Sequence, residues 1–233
     1  MELVDKIIKG ERAAIAKAIT LVESTKESDQ QKSRKLISEL LNKKGKSIRV
    51  GFSGPPGVGK STFIESFGSY LVNQNCKLGI LAIDPSSQIT GGSILGDKTR
   101  MVEISKNPNT FIRSTPSRGA LGGISTGTRE ASIILDAAGY DFIFIETVGV
   151  GQSEIVASNL VDIFTLIVGP GSGDELQGIK KGITEYADIF IVNKNDGELK
   201  IEASKTAADY KSALSYYKKV EQLEKKVLLV SAI

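Results

Sequence analysis

An α/β fold, built on a mostly parallel sheet flanked by helices, is predicted by three features of the 233-residue sequence. Short, continuously apolar runs recur along the chain, as strands buried on both faces require. Segments of helical periodicity separate them, so strand and helix alternate. Glycine-rich loops follow several of the runs, and the carboxyl edge of such a sheet is where ligands bind.

The first 46 residues read as a helical extension, and residues 47–233 as the main domain. Ile7, Ile8, Ala14, Ile15, Ala18, Ile19 and Val22 mark an apolar face, with Gly10 a break. Ser28 or Asp29 is expected to cap a second helix carrying Leu36, Ile37, Leu40 and Leu41. Asn42-Lys-Lys-Gly-Lys46 links these helices to the first strand, Ser47–Ser53.

That strand runs into Gly54-Pro-Pro-Gly-Val-Gly-Lys-Ser61, a G-x-x-x-x-G-K-S phosphate-binding loop, and a helix from Thr62 to Gln74. Glycines let the backbone curl so that its N–H groups converge on a phosphate chain, and the helix aims its positive end at the same place. Lys60 is expected at the β- and γ-phosphates and the Ser61 hydroxyl on Mg²⁺. Gly54, Pro55, Gly57, Val58, Gly59, Lys60, Ser61 and Thr62 are therefore the expected nucleotide contacts.

Leu78–Ile83 is a second strand ending at Asp84, and the stretch from Pro85 to Asp97 is glycine- and serine-rich. Asp97 begins a helix over Lys98–Lys106, and on pattern alone it is as easily an N-cap as a ligand. Phe111–Arg113 reads as a short strand, with a glycine-rich loop from Ser114 to Gly127 and a helix over Thr128–Ala138. Asp141–Ile145 is a strand closed by Glu146 and followed by Thr147-Val-Gly-Val-Gly-Gln-Ser153. In a phosphate-loop protein such an acid holds Mg²⁺, and Gly149 presents its N–H to the γ-phosphate.

Asp162–Val168 is the next strand, with Gly169-Pro-Gly-Ser-Gly-Asp-Glu175 after it. Ile189–Val192 ends in Asn193-Lys-Asn-Asp196, the N-K-x-D pattern that reads guanine. The Asp196 carboxylate accepts two N–H bonds from guanine's Watson–Crick edge, while Asn193 and Lys194 orient the loop and cover the base. A long helix over Glu198–Lys219 and a strand over Val227–Ile233 complete the chain. Ser231, Ala232 and Ile233 stand where small residues back the base.

Composition narrows the function. Thirty basic and 27 acidic residues give a formal charge of +3, which argues for neither nucleic acid nor an anionic membrane as partner. One cysteine and no histidine leave no internal disulfide and no soft-metal cluster. No apolar run reaches membrane-spanning length, and Met1–Lys6 has neither signal- nor transit-peptide character. A cytoplasmic protein is expected.

Gly54–Thr62, Asp84–Ser87, Gly91–Met101, Glu146–Glu154 and Gly173–Gly182, together with Ala18–Ser24, resemble the methylmalonyl-CoA mutase-associated GTPases, some once labelled arginine/ornithine transport kinases. The resemblance covers essentially the whole chain. It implies a phosphate-loop GTPase that binds GTP and GDP with Mg²⁺ and chaperones a cobalamin-dependent acyl-CoA mutase by gating cofactor loading. It places Asp84, Asp97 and Glu146 on the family's acidic Mg²⁺ positions, which assigns Asp97 to the site. Residues near Asp84–Asp97 and Glu146–Glu154 would be two switches, and Gly171–Lys181 a third that contacts the mutase. Members usually continue past the base-backing strand into helices used for dimerisation, so the resemblance implies a homodimer for the full-length family.

For hydrolysis, Lys60 and Mg²⁺ would neutralise charge, and Asp84 or Gln152 would orient the attacking water. No arginine is an obvious built-in finger, so slow unassisted turnover is expected. The alternatives are a small-molecule kinase, which lacks a visible second substrate module, and a metal-delivery GTPase, which the absence of Cys/His clusters opposes.

Overall fold

Seven parallel strands form one sheet in the order β3-β2-β4-β1-β5-β6-β7. They are β1 (Ile48–Ser53), β2 (Leu78–Asp84), β3 (Thr110–Pro116), β4 (Phe142–Glu146), β5 (Ile163–Val168), β6 (Ile189–Val192) and β7 (Lys226–Leu229). The computed structural model describes residues 2–43, 45–84, 101–116, 126–147, 157–172, 181–215 and 225–233. The chain moves from β1 out to β2 and β3, returns to β4 beside β1, and then leaves on the other side through β5. The reversal at β1 opens a crevice at the strands' carboxyl ends.

Among the described residues there are eight helices: α1 (Glu2–Ile8), α2 (Arg12–Val22), α3 (Glu27–Leu41), α4 (Lys60–Asn73), α5 (Val102–Ser105), α6 (Thr126–Ala137), α7 (Lys181–Tyr186) and α8 (Lys200–Ser215). Of these, α4, α5, α6 and α8 pack on the sheet, and α1–α3 pack chiefly on α6 and on one another. Alternation along each strand divides the core. Ile143 and Ile145 of β4 join a cluster with the residues of α1–α3, α6 and α8, whereas Phe144 between them joins α4 and α5 on the other face. On that second face Phe144 packs edge-on against Phe52 at 4.9 Å and stacks on Phe67 at 5.6 Å. Burying each such ring stabilises the fold by about 1.5–3 kcal/mol. The same contacts seat α4, and hence Lys60 and Ser61 at its start.

The strand entrances follow one rule. Asp141, Asp162 and Asp188 accept hydrogen bonds from the backbone N–H groups of Lys77, Arg49 and Phe164 at 2.7, 2.8 and 2.7 Å. These carboxylates satisfy donors that the ladder leaves over.

The extension folds as three helices rather than two, because the chain turns at Gly10 with φ +76°. The cap of α3 also differs from expectation. Its N-cap is Lys26 without a side-chain bond, and Ser24 Oγ instead donates to Asp29 Oδ2 at 2.7 Å. Asp29 sits inside the first turn, where its charge favours the helix dipole. The extension grips the β3 edge through Arg113, paired with Glu23, and through Arg12, which donates to the carbonyls of Pro108 and Thr110. Buried Asp136, on α6, accepts from Gly45 N, Ser47 N and Ser47 Oγ at 3.1, 2.9 and 2.5 Å, fastening the junction to β1.

Other boundaries shift modestly. β3 is longer than Phe111–Arg113, a short 3-10 turn (Gly197–Leu199) precedes α8, and the last strand stops at Leu229 rather than Ile233. Helix α7 was not expected; Lys225 Nζ donates to the carbonyls of Thr184 and Glu185 near its end, and burial holds that ammonium's pKa below the usual lysine range. Among the described residues no helix is long and apolar enough to cross a membrane.

Candidate functional site

Strand register brings the expected ligands to one edge. Phe52 of β1 is level with Glu146 of β4, Ser53 with Leu166 of β5, and Val168 with Val192 of β6. The segments leaving these strands therefore emerge side by side: Gly54–Gly59 from β1, Thr147 from β4, Gly169–Ser172 from β5 and Asn193–Asp196 from β6.

The loop from Gly54 to Gly59 turns through left-handed backbone that only glycine adopts without strain. Gly54 has φ +146°, and a β-carbon there would lie 2.0 Å from the Ile167 carbonyl oxygen. Gly59 has φ +88° and caps α4, and a β-carbon there would come within 2.7 Å of Asn193 Nδ2. Lys60 Nζ curls back over this loop and donates to the carbonyls of Gly54 at 2.7 Å and Pro55 at 2.9 Å. Ser61 Oγ donates to Glu146 Oε1 at 2.8 Å, and the Glu146 side chain is buried. Thr147, the next residue, is held by its own N–H and hydroxyl on the Phe52 carbonyl at 3.0 and 3.2 Å. Two hard oxygens, Ser61 Oγ and Glu146 Oε1, thus meet beside the loop and make a donor set of the kind Mg²⁺ takes.

The second half of the site is tied directly to the first. Buried Asn193 donates from Nδ2 to the Val58 carbonyl at 3.0 Å, and Lys194, at φ +59°, donates from Nζ to the Gly57 carbonyl at 2.8 Å. Asn193 Oδ1 is buried with no hydrogen-bond partner among the described residues. Asp196 Oδ2 accepts from Ser231 Oγ at 2.7 Å, which orients the carboxylate. Val230 is held on both sides, its N–H to the Val192 carbonyl at 2.9 Å and its carbonyl to Asn195 N at 3.0 Å. Ser231, Ala232 and Ile233 thereby lie alongside the Asn193–Asp196 loop.

Of the expected residues, Gly54, Pro55, Gly57, Val58, Gly59, Lys60, Ser61, Thr62, Glu146, Asn193, Lys194, Asp196 and Ser231–Ile233 are gathered at this edge. Asp84 closes β2 there, with its side chain outside the described residues; Asp97, Gly149 and Gln152 lie wholly outside them. So do most of the three expected switches. Among the described residues, which leave out the side chains of Asp84 and Asp97, there is no group of three or more acidic, cysteine or histidine side chains placed to hold a metal.

Two contacts at this edge carry no sequence signal. Thr206 Oγ1 of α8 accepts from Gly171 N at 3.0 Å, and Ser66 Oγ of α4 donates to the Ala232 carbonyl at 2.7 Å. A lone hydroxyl on a helix has no spacing that announces its partner.

The chain is similar to known proteins over most of its length. A family model described as methylmalonyl-CoA mutase-associated GTPase MeaB matches residues 15–233. A mouse (Mus musculus) protein named methylmalonic aciduria type A homolog, mitochondrial, is 47% identical over 237 residues, covering 97% of this chain and 57% of that protein. A putative GTPase of Caulobacter vibrioides is 52% identical over 209 residues, covering 90% of this chain and 64% of the relative. The chain thus spans less than two thirds of the length of either relative. A solved structure titled LAO/AO transport system kinase superposes with a TM-score of 0.80 at 35% identity, covering 99% of this chain and 68% of that one. With a parallel sheet, a glycine loop leading into α4 and the match running from the second helix to the last residue, the chain belongs to the methylmalonyl-CoA mutase-associated GTPase family, on a phosphate-loop fold.

Proposed function

We propose that this chain hydrolyses GTP to GDP and phosphate with Mg²⁺, and that it acts as a nucleotide-gated chaperone of a cobalamin-dependent acyl-CoA mutase. The observation that carries the first part is the direct bond from Asn193 Nδ2 to the Val58 carbonyl, which couples a guanine-reading loop to a phosphate-reading loop. The second part is supported by the family's association with methylmalonyl-CoA mutase. A homodimer and a cytoplasmic location belong to the same reading, with residues 1–46 as a helical extension on a GTPase domain of residues 47–233; nucleic acid and membrane do not belong to it.

In this mechanism the Asp196 carboxylate accepts the N1–H and 2-amino protons of guanine, and Ser231–Ile233 back the ring. The N–H groups of the loop and Lys60 Nζ bind the β- and γ-phosphates, Lys60 exchanging its contacts with Gly54 and Pro55 for phosphate oxygens. Mg²⁺, when bound, supplies further neutralisation of the phosphate charge; Ser61 and Glu146 would hold it, with Asp84 and Asp97 completing the acidic positions. A water oxygen forms the new bond to the γ-phosphorus while the bond to the β–γ bridging oxygen breaks, and that oxygen leaves on GDP. Asp84 or Gln152 orients the water, and the N–H of Gly149 binds the γ-phosphate. Little covalent chemistry falls to the protein, so ordering of the loops sets the rate.

Calorimetry with GTP and ATP tests the first part: GTP is expected to bind at least about 10²-fold more tightly, because a mismatched base leaves the Asp196 carboxylate unpaired. Equal affinities would overturn it. Retention of a cobalamin-dependent mutase on the immobilised chain in a nonhydrolysable GTP analogue but not in GDP tests the second; equal retention in both would end the gating claim.

A further inference from the structure

We propose that Ser66, on the outer face of α4, is a positioning residue for guanine recognition, acting through the backbone of Ala232 and the side chain of Ser231 on Asp196. The inference rests on the reading of Asp196 as the base-contacting carboxylate.

The segment Val230–Ile233 is no longer part of the sheet, yet three anchors fix it in succession. Val230 pairs with Val192 and Asn195 at the end of β6. Ser231 Oγ donates to Asp196 Oδ2 at 2.7 Å. Ala232, itself buried, gives its carbonyl to Ser66 Oγ at 2.7 Å. Without the third anchor the strip beyond Val230 would keep, of these bonds, only the one from Ser231 to the carboxylate it is meant to orient. With it, the strip is braced against α4, whose first residues are Lys60 and Ser61.

The chemistry follows from the geometry. A hydrogen bond to one carboxylate oxygen restricts rotation of that group, and a fork that must meet two N–H donors of a purine edge is sensitive to such rotation. Ser66 therefore links the helix that bears the phosphate ligands to the group that tells guanine from other bases. It touches neither phosphate nor base in this role.

Three variants of the full chain, titrated with GDP, inosine diphosphate and xanthosine diphosphate, test this. Ser66 is exposed on a helix and its bond to Ala232 is only part-buried, so Ser66→Ala is expected to lower the thermal midpoint by no more than about 2–4 °C. It should weaken GDP about three- to tenfold, the worth of one such bond, and weaken inosine diphosphate, which lacks the 2-amino group, distinctly less. The GDP-to-inosine ratio therefore narrows, and Ser66→Thr, which keeps the hydroxyl, restores it. Asp196→Asn offers one donor and one acceptor and should turn preference towards xanthosine diphosphate. If that turn fails, the assignment of Asp196 falls and the relay with it. If it succeeds while Ser66→Ala keeps the parent ratio, or weakens both nucleotides equally, the relay alone is overturned.

Discussion

Ser61 Oγ and Glu146 Oε1 stand 2.8 Å apart, one at the start of α4 and the other at the tip of β4. Neighbouring strands in level register are what bring them together, since Glu146 pairs with Phe52, two residues before the loop begins. Replacing Glu146 with glutamine keeps the shape and removes the charge. GTP turnover is expected to fall about 10²-fold and the Mg²⁺ concentration for half-activation to rise, with GDP affinity in chelator little altered. Phosphate release measured across a Mg²⁺ series checks this.

Lys60 Nζ bridges the carbonyls of Gly54 and Pro55. Lys60→Ala removes the cation that would meet two phosphate groups. Charged hydrogen bonds of this kind are each worth about 1.5–3 kcal/mol, so GTP affinity should fall by about 10²-fold or more. Calorimetry that found parent affinity in the variant would remove Lys60 from the site.

Gly54 and Gly57 both have positive φ, +146° and +81°, but only Gly54 is crowded; a β-carbon on Gly57 would meet nothing within 4 Å. Gly54→Ala should therefore cost about 3 kcal/mol through overpacking against the Ile167 carbonyl. Gly57→Ala should cost about 1 kcal/mol, the strain of left-handed backbone alone. Denaturant titration of the two variants separates the effects; similar losses would contradict the close approach.

Asn193→Ala leaves the Val58 carbonyl without the donor that now serves it. An orphaned buried acceptor costs about 1–3 kcal/mol, and the loop it held should loosen. GDP dissociation is expected to accelerate more than unfolding does, which stopped-flow release and chevron analysis would compare.

Tyr140 bears on alkaline stability. Burial raises its phenol above the ordinary value, with nearby Arg12 opposing more weakly. The unfolded chain therefore releases this proton first as pH rises. The stability associated with it is complete below the ordinary tyrosine pKa and is lost as pH climbs from there towards the higher folded value. Tyr140→Phe should flatten that alkaline decline, as measured by urea unfolding at a series of pH values near and above 10.

Much of the fold was legible because the strands are buried on both faces. Ile189–Val192 was placed to the residue, and Leu78–Asp84 and Phe142–Glu146 nearly so, since continuous apolar runs closed by acids leave little choice. The phosphate loop and N-K-x-D segment were legible because backbone curvature and base reading demand particular residues at fixed spacing. Helix α7 was not, being only six residues long, with Gly182 and Thr184 weakening its pattern. The cap of α3 was missed because Ser24 reaches forward to Asp29 from outside the helix. Asp136 and Ser66 were invisible for a deeper reason. Ser66 and, apart from Ser47 Oγ and Arg49, Asp136 meet backbone groups distant in sequence, which almost any residue type could have supplied.

The grip of Asp136 on Gly45 and Ser47 makes the hinge between extension and sheet length-locked. One residue more or fewer in that hinge would pull a donor away and leave the buried carboxylate leaning more heavily on Arg49. Grafts and affinity handles therefore belong ahead of α1, and swapping extensions between relatives requires carrying the hinge and its carboxylate together.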